Sequence, residues 1–158
     1  MVVLLEELLS KLKSTGKVYF TVKYNDCGIE HILFRIGEGL TLVSNNDFMF
    51  ISFVTELFKS SDIEKYTDDS KRLYSFCDAA GLELNAVKLD TSLAAYLLNP
   101  NSSDYSISTL AGAYGIKNVK INPVDTEVFY EEEKDFVNSG ALIESLSVKL
   151  SAAIAENN

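Results

Sequence analysis

Tryptophan is absent from this 158-residue chain, and it holds only two cysteines, two prolines and one histidine. Each scarcity excludes a chemistry. Cys27 and Cys77 are far apart and form no C-x-x-C pair, which argues against zinc, and two lone thiols suit a reducing compartment. With His31 as the only histidine there is no defensible Ser-His-Asp set, and no glycine-rich phosphate loop is present. Positive charge is scarce too: 14 Lys and Arg stand against 23 Asp and Glu, a net charge of −9. Sequence-independent nucleic-acid binding draws on a basic surface, so strong autonomous DNA binding is not expected. No run approaches the ~18 apolar residues of a membrane span. The N-terminus brings Glu6 and Glu7 where a signal peptide would continue its apolar core. These features lead to the expectation of a soluble, cytoplasmic protein without membrane contact.

What is present is ordinary globular material. Hydrophobic residues make up 47% and charged residues 23%, enough for one domain over residues 1–158 with a real core. Leu4, Leu5, Leu8, Leu9 and Leu12 form one helical stripe over residues 3–14, closed by Gly16. Residues 17–24 alternate in strand fashion, Val18, Phe20, Val22 and Tyr24 against Tyr19, Thr21 and Lys23. Turn chemistry at Asn25-Asp26-Cys27-Gly28 and Gly37-Glu38-Gly39 adds strands over residues 29–36 and 40–43, an antiparallel meander. Asn46 or Asp47 is read as the cap of a helix containing Phe48 to Phe58. A short strand over 63–66 follows, then a helix capped by Asp68 or Asp69 and closed by Gly81, and a strand over 82–89. Asp90 caps a helix with Leu93, Ala94, Leu97 and Leu98 on its apolar face; Ser106 opens a short helix; a last helix spans about residues 128–155. The order α-βββ-α-β-α-β-α-α-α predicts an α/β fold: a mixed sheet of about five strands, three antiparallel and then parallel, flanked by helices.

Two stretches are more specific. Asp69-Ser70-Lys71-Arg72-Leu73 leads into Gly81-Leu82-Glu83-Leu84, and Val87-Lys88-Leu89-Asp90-Thr91-Ser92-Leu93-Ala94-Ala95-Tyr96-Leu97-Leu98-Asn99-Pro100 follows. Together with Ser108-Thr109-Leu110-Ala111 and Tyr114, they resemble the 3′–5′ proofreading exonuclease domain of bacterial family A DNA polymerases, most strongly the Gram-positive members. The resemblance covers most of residues 17–115 and, more weakly, 128–155. It implies the ribonuclease H-like exonuclease fold. It also implies a domain excised from a longer polymerase, whose polymerase portion would be its partner and its route to DNA.

The resemblance further implies where chemistry belongs. An active member uses two metal ions about 4 Å apart, and hard ions such as magnesium take carboxylate oxygens. The family supplies an Asp-x-Glu pair on the first strand, an Asp on a middle helix and an Asp in a Tyr-x-x-x-Asp motif on the last. Carried onto this chain, the pair falls on Thr21 and Lys23, the middle aspartate on Leu73, and the last motif on Phe136 and Gly140. None is acidic, and Lys23 reverses the charge. The expectation is therefore a domain with no catalytic residues, no metal and no cofactor, magnesium being expected only if the exonuclease were active. Its role would be a scaffold within a DNA replication or repair polymerase.

Other acids are available as substitutes: Asp26, Glu30, Asp68, Asp69, Asp90 and Asp135. Asp69 and Asp90 read as helix caps, and the run Glu131 to Asp135 as a solvated helix start. Lys71, Arg72, Lys117 and Lys120 are candidates for phosphate contact but form no dense cluster. Two alternatives stay open at this point: an active metal-dependent 3′–5′ exonuclease with relocated ligands, and a protein-interaction module on the same fold.

Overall fold

The computed structural model describes residues 4–116 and 133–156. Leu5, Leu8 and Leu12 are buried along one side of helix α1 (Leu5–Thr15). Gly16, at φ 77°, takes the left-handed conformation that ends the helix, and its N–H bonds to the Leu12 carbonyl. The chain turns directly into strand β1 (Lys17–Asn25). Strands β2 (Gly28–Ile36) and β3 (Gly39–Ser44) complete the meander. Then come α2 (Phe50–Lys59), β4 (Glu64–Thr67), α3 (Ser70–Ala80), β5 (Val87–Asp90), α4 (Thr91–Leu98), α5 (Ile107–Ala113) and α6 (Lys134–Glu156).

The five strands form one sheet in the order β3-β2-β1-β4-β5. The β1–β2 and β2–β3 pairs are antiparallel, whereas β1–β4 and β4–β5 are parallel. This is the expected mixed α/β sheet, with six helices among the described residues. The period-2 alternation of β1 separates two cores. Val18 and Phe20 are buried with Leu12 of α1, Phe53 and Leu57 of α2, and Leu73 and Cys77 of α3. Tyr19, of opposite parity, packs among Ala94 and Ala95 of α4, Leu110 of α5, and Ile143 and Leu146 of α6. On that same face α6 extends over the meander, where Val137 and Ala141 meet Leu33 and Leu40.

Several expectations need correction. In α4 the buried residues are Thr91, Ala94 and Ala95, while Leu93 is 55% and Leu97 68% exposed. The alanines let α4 lie close to α6, which turns the bulkier leucines outward. The strand foreseen over 82–89 is confined to Val87–Asp90, because Ala86 adopts φ 60° and breaks the extended run. Phe48 lies outside α2: Asp47 accepts the Met49 N–H at 2.9 Å, making a turn that delays the helix to Phe50. The last helix is seen from Lys134; the part foreseen at 128–132, and the irregular segment foreseen from 117, fall outside the described residues.

A buried cation sits within β4. Lys65 has no exposed surface, and its Nζ donates to the carbonyls of Ser60 at 2.8 Å, Ile63 at 3.0 Å and Asn85 at 2.7 Å. It fastens the α2–β4 connection to the segment that leads into β5. Burial pushes its ammonium down to about 8.

Candidate functional site

In open α/β sheets, ligands collect beyond the carboxyl ends of the strands. Here β1, β4 and β5 run parallel, and their carboxyl ends carry Lys23, Asp68 and Asp90. Thr21 is 3% exposed on β1, and its Oγ1 donates to Asp68 Oδ1 at 3.0 Å. Burial pushes the Asp68 carboxyl up to about 6; Asp69 and Asp90 push in the same direction, and the Thr21 hydrogen bond works against them. Asp90 is fully committed. Its Oδ2 accepts from the Ser70 N–H at 2.8 Å and the Ser70 hydroxyl at 2.7 Å, and its Oδ1 caps α4 through the Leu93 N–H at 3.1 Å. Asp69 caps α3 through the Arg72 N–H at 3.2 Å. Both expected caps are in place.

Lys23 lies two residues beyond Thr21 on the same face of β1. It hydrogen-bonds and ion-pairs with Glu133 ahead of α6, and its Nζ stands 3.7 Å from Glu30. The β1–β2 register shifts between Lys23 and Tyr24, a bulge that lets Glu30 approach Lys23. The hydrogen bond to Glu133 is the main reason the Lys23 ammonium is held above its ordinary value. Glu133 is therefore not the solvated residue foreseen for the start of the last helix; it is a counter-charge. No local sequence signal joins it to Lys23, which lies 110 residues away along the chain. His31 is the cross-strand partner of Lys23, and desolvation holds its imidazole below the usual range.

Gly140 is buried where α6 crosses β2. A Cβ there would lie 2.5 Å from Leu33 Cδ2 and 2.9 Å from Leu33 Cγ, too close to stand. Leu33 is the cross-strand partner of Thr21. Phe136, one turn earlier on α6, is partly buried against the cluster of Leu33, Leu40, Val137 and Ala141. The structure thus brings Thr21, Lys23, Phe136 and Gly140 to one side of the sheet. Leu73 is not among them. It is fully buried on α3 in the core on the opposite face, with Val18 and Phe20.

The remaining candidates are dispersed. Asp26 and Asp135 are exposed, the first in the β1–β2 turn and the second in the first turn of α6. Arg72 stacks over the Tyr24 ring at 4.2 Å, and Lys71 is exposed beside it. Lys117 and Lys120 lie outside the described residues. Among the described residues no three His, Cys, Asp or Glu side chains are placed to hold a metal ion together. A threonine donating to a carboxylate, an ion-paired lysine, a core leucine and a glycine without room for a side chain do not fit a pair of hard divalent ions. No helix of the described residues is long and apolar enough to cross a membrane.

The sheet order and this placement define an exonuclease-like domain of ribonuclease H-like fold. A family profile described as "DNA polymerase I, ribonuclease H-like domain" matches residues 18–145, and the chain belongs to that family. It is similar to DNA polymerase I of Bacillus subtilis (strain 168), 31% identical over 86 residues, which is 49% of this chain and 10% of that protein. Among solved structures, the POL domain of Pol1 from M. smegmatis, in complex with DNA primer-template and dNTP, superposes with a TM-score of 0.73 at 16% identity, over 96% of this chain and 26% of that one. RNase D of Escherichia coli, an exoribonuclease involved in structured RNA processing, gives a TM-score of 0.62 at 16% identity, over 94% of this chain and 43% of that one. These two likenesses are of fold. The chain spans about a tenth of the length of the curated relative it matches.

Proposed function

We propose that this chain is a catalytically degenerate exonuclease domain, without 3′–5′ exonuclease activity, that serves as a scaffold for a polymerase portion in DNA replication or repair. The observation that carries the reading is Lys23. It occupies the place the family resemblance assigns to the second acid of the Asp-x-Glu pair, and it is held there by Glu133 and Glu30. A cation so placed repels the ions that an acid would bind. The neighbouring acids are engaged elsewhere, Asp90 and Asp69 as caps and Asp68 with Thr21. The proposed setting is cytoplasmic, with the polymerase portion of a longer chain as partner and DNA reached through it; likeness to the Gram-positive polymerases belongs to the same reading.

Two measurements test it. Titration with manganese or magnesium by calorimetry is expected to show no stoichiometric two-ion site. Incubation with 3′-labelled single-stranded DNA and magnesium is expected to leave the DNA intact. Progressive loss of 3′ nucleotides would establish the relocated-ligand exonuclease instead.

A further inference from the structure

We propose that Arg35 anchors an oxyanion site at the end of β2, taking the carboxylate or phosphate group of a ligand that carries one such group. The inference does not rest on the degenerate nuclease reading. Arg35 stands across from Tyr19, beside the amino end of β1, away from the carboxyl end that carries Lys23.

The alternation along β2 fixes the side of the sheet. Phe34 is buried in the core of α1, α2 and α3, and Leu33 in the core under α6, so Arg35 shares the α6 face with Leu33. Its cross-strand neighbours are Tyr19 of β1 and Leu40 of β3. The residue is 6% exposed. Its Nη1 is buried with no hydrogen-bond partner, and none of the ion pairs among the described residues includes Arg35.

A cation taken out of water is costly unless acceptors or an opposite charge replace the water. Lys65 escapes that cost in two ways: three carbonyls accept from its Nζ, and an ammonium can shed a proton. Arg35 has neither escape. A guanidinium stays charged at any working pH, and nothing accepts from Nη1. What balances it has to bring negative charge together with acceptor oxygens, as a carboxylate or phosphate presents them to the guanidinium fork.

The surroundings limit the occupant to one such group. Burial raises the hydroxyl of Tyr19 above its ordinary value, and Glu144 of α6 and Glu64 of β4 add to the effect. These acids, and a net charge of −9, disfavour a polyanion such as a nucleic-acid backbone. Glu64 is engaged with Lys88 at 3.6 Å. Glu144 is the internal rival, one turn beyond the glycine that rests on Leu33.

The test follows urea denaturation of the 158-residue chain at constant pH and ionic strength in chloride, acetate or inorganic phosphate. Salting-out acts on all variants alike, so the part that depends on Arg35 is the readout. An oxyanion is expected to raise the folding equilibrium constant saturably, about tenfold at roughly ten times its half-saturating concentration. A response confined to phosphate assigns a phosphate-bearing ligand; a response to acetate assigns a carboxylate-bearing one. Arg35→Met is expected to lose the response and, in chloride, to fold with a constant about tenfold higher, since the unbalanced cation is gone. Arg35→Lys keeps the charge without the fork and is expected to bind the oxyanion about tenfold more weakly. Equal responses of the unaltered chain and Arg35→Met overturn the proposal, as does Arg35→Met proving the less stable in chloride. A loss of stability from Glu144→Gln that vanishes in the Arg35→Met background overturns it too, and makes Glu144 the partner of Arg35.

Discussion

Thr21 Oγ1 donates to Asp68 Oδ1 at 3.0 Å, joining the middle of β1 to the end of β4 beneath the covering helix. The bond places an acid in a desolvated position, and burial pushes that carboxyl from 3.8 up to about 6. A carboxyl whose folded value is raised binds its proton more tightly in the folded chain. Its contribution is fully present below the unfolded value and is lost as pH rises through about 6. Chemical denaturation between pH 4 and pH 7 is expected to show this loss, roughly 1–3 kcal/mol, since each tenfold gain in proton affinity is worth about 1.4 kcal/mol. Asp68→Asn keeps an acceptor for Thr21 and cannot ionise. It is expected to flatten that limb and to be the more stable protein at pH 7; an unchanged slope refutes the assignment.

The two helix-capping acids carry unequal structural weight. Asp90 satisfies Ser70 twice and Leu93 once, whereas Asp69 satisfies only the Arg72 N–H. Removing a cap costs about 0.5–2 kcal/mol. Asp69→Ala is expected near the low end. Asp90→Ala also strips two donors at the start of α3 and is expected to cost roughly 2–3 kcal/mol. Thermal unfolding of the two variants checks the order; Asp69→Ala proving the more damaging contradicts it.

Much of the architecture was legible because it rests on local signals. The alternation from Val18 to Tyr24 defines β1 and its two faces, and Asp69, Asp90 and Ser106 each cap the helix that follows them. The family motifs lie on α3, β5 and α4, where capping and tight helix packing constrain the residues. What stayed hidden depends on long-range contacts. Nothing near Lys65 in sequence reveals that the Asn85 carbonyl will accept its hydrogen bond, and nothing near Lys23 reveals Glu133. The face of α4 was read correctly at Ala94 and Leu98 and wrongly at Leu93 and Leu97, for the same reason: hydrophobicity favoured the leucines, but close approach to α6 favoured the alanines. Of the family positions, Thr21, Lys23 and Gly140 come together across a helix and sheet, whereas counting along α3 does not reveal that Leu73 points to the other core.

Lys65 supplies a pH dependence of opposite origin. Its folded value, about 8, lies below the ordinary 10.5, so between these the unfolded chain binds more protons. Stability is therefore expected to rise with pH across that window. Lys65→Met removes the charge but leaves the Ser60, Ile63 and Asn85 carbonyls without their donor. A buried unpaired group costs about 1–3 kcal/mol, and the net expectation is a loss of roughly 2–4 kcal/mol at pH 7. Urea denaturation at pH 7 and pH 10 checks both statements: the variant is less stable at pH 7, and its stability no longer rises between the two.

Placing acids at the positions the family resemblance assigns to metal ligands tests the proposed degenerate reading. Gly140 has no room for a side chain, since a Cβ would lie 2.5 Å from Leu33 Cδ2. Overpacking a core costs about 1–3 kcal/mol, and a carboxylate there adds a desolvation penalty. Gly140→Asp is expected to lower stability by at least roughly 2 kcal/mol, the sum of the two effects. Leu33→Ala, which is destabilising alone, is expected to relieve part of that loss, so the two changes together cost less than their sum. The combination Thr21→Asp, Lys23→Glu, Leu73→Asp and Gly140→Asp is expected to yield no 3′–5′ nuclease, because Leu73 faces the core of α1, α2 and α3 while the other positions face α6. Denaturant melts of the single and double variants at positions 33 and 140 measure the coupling. Additive losses there would show that Leu33 is not the obstacle, and manganese-dependent cleavage by the fourfold variant would show that the cleft still closes around two ions.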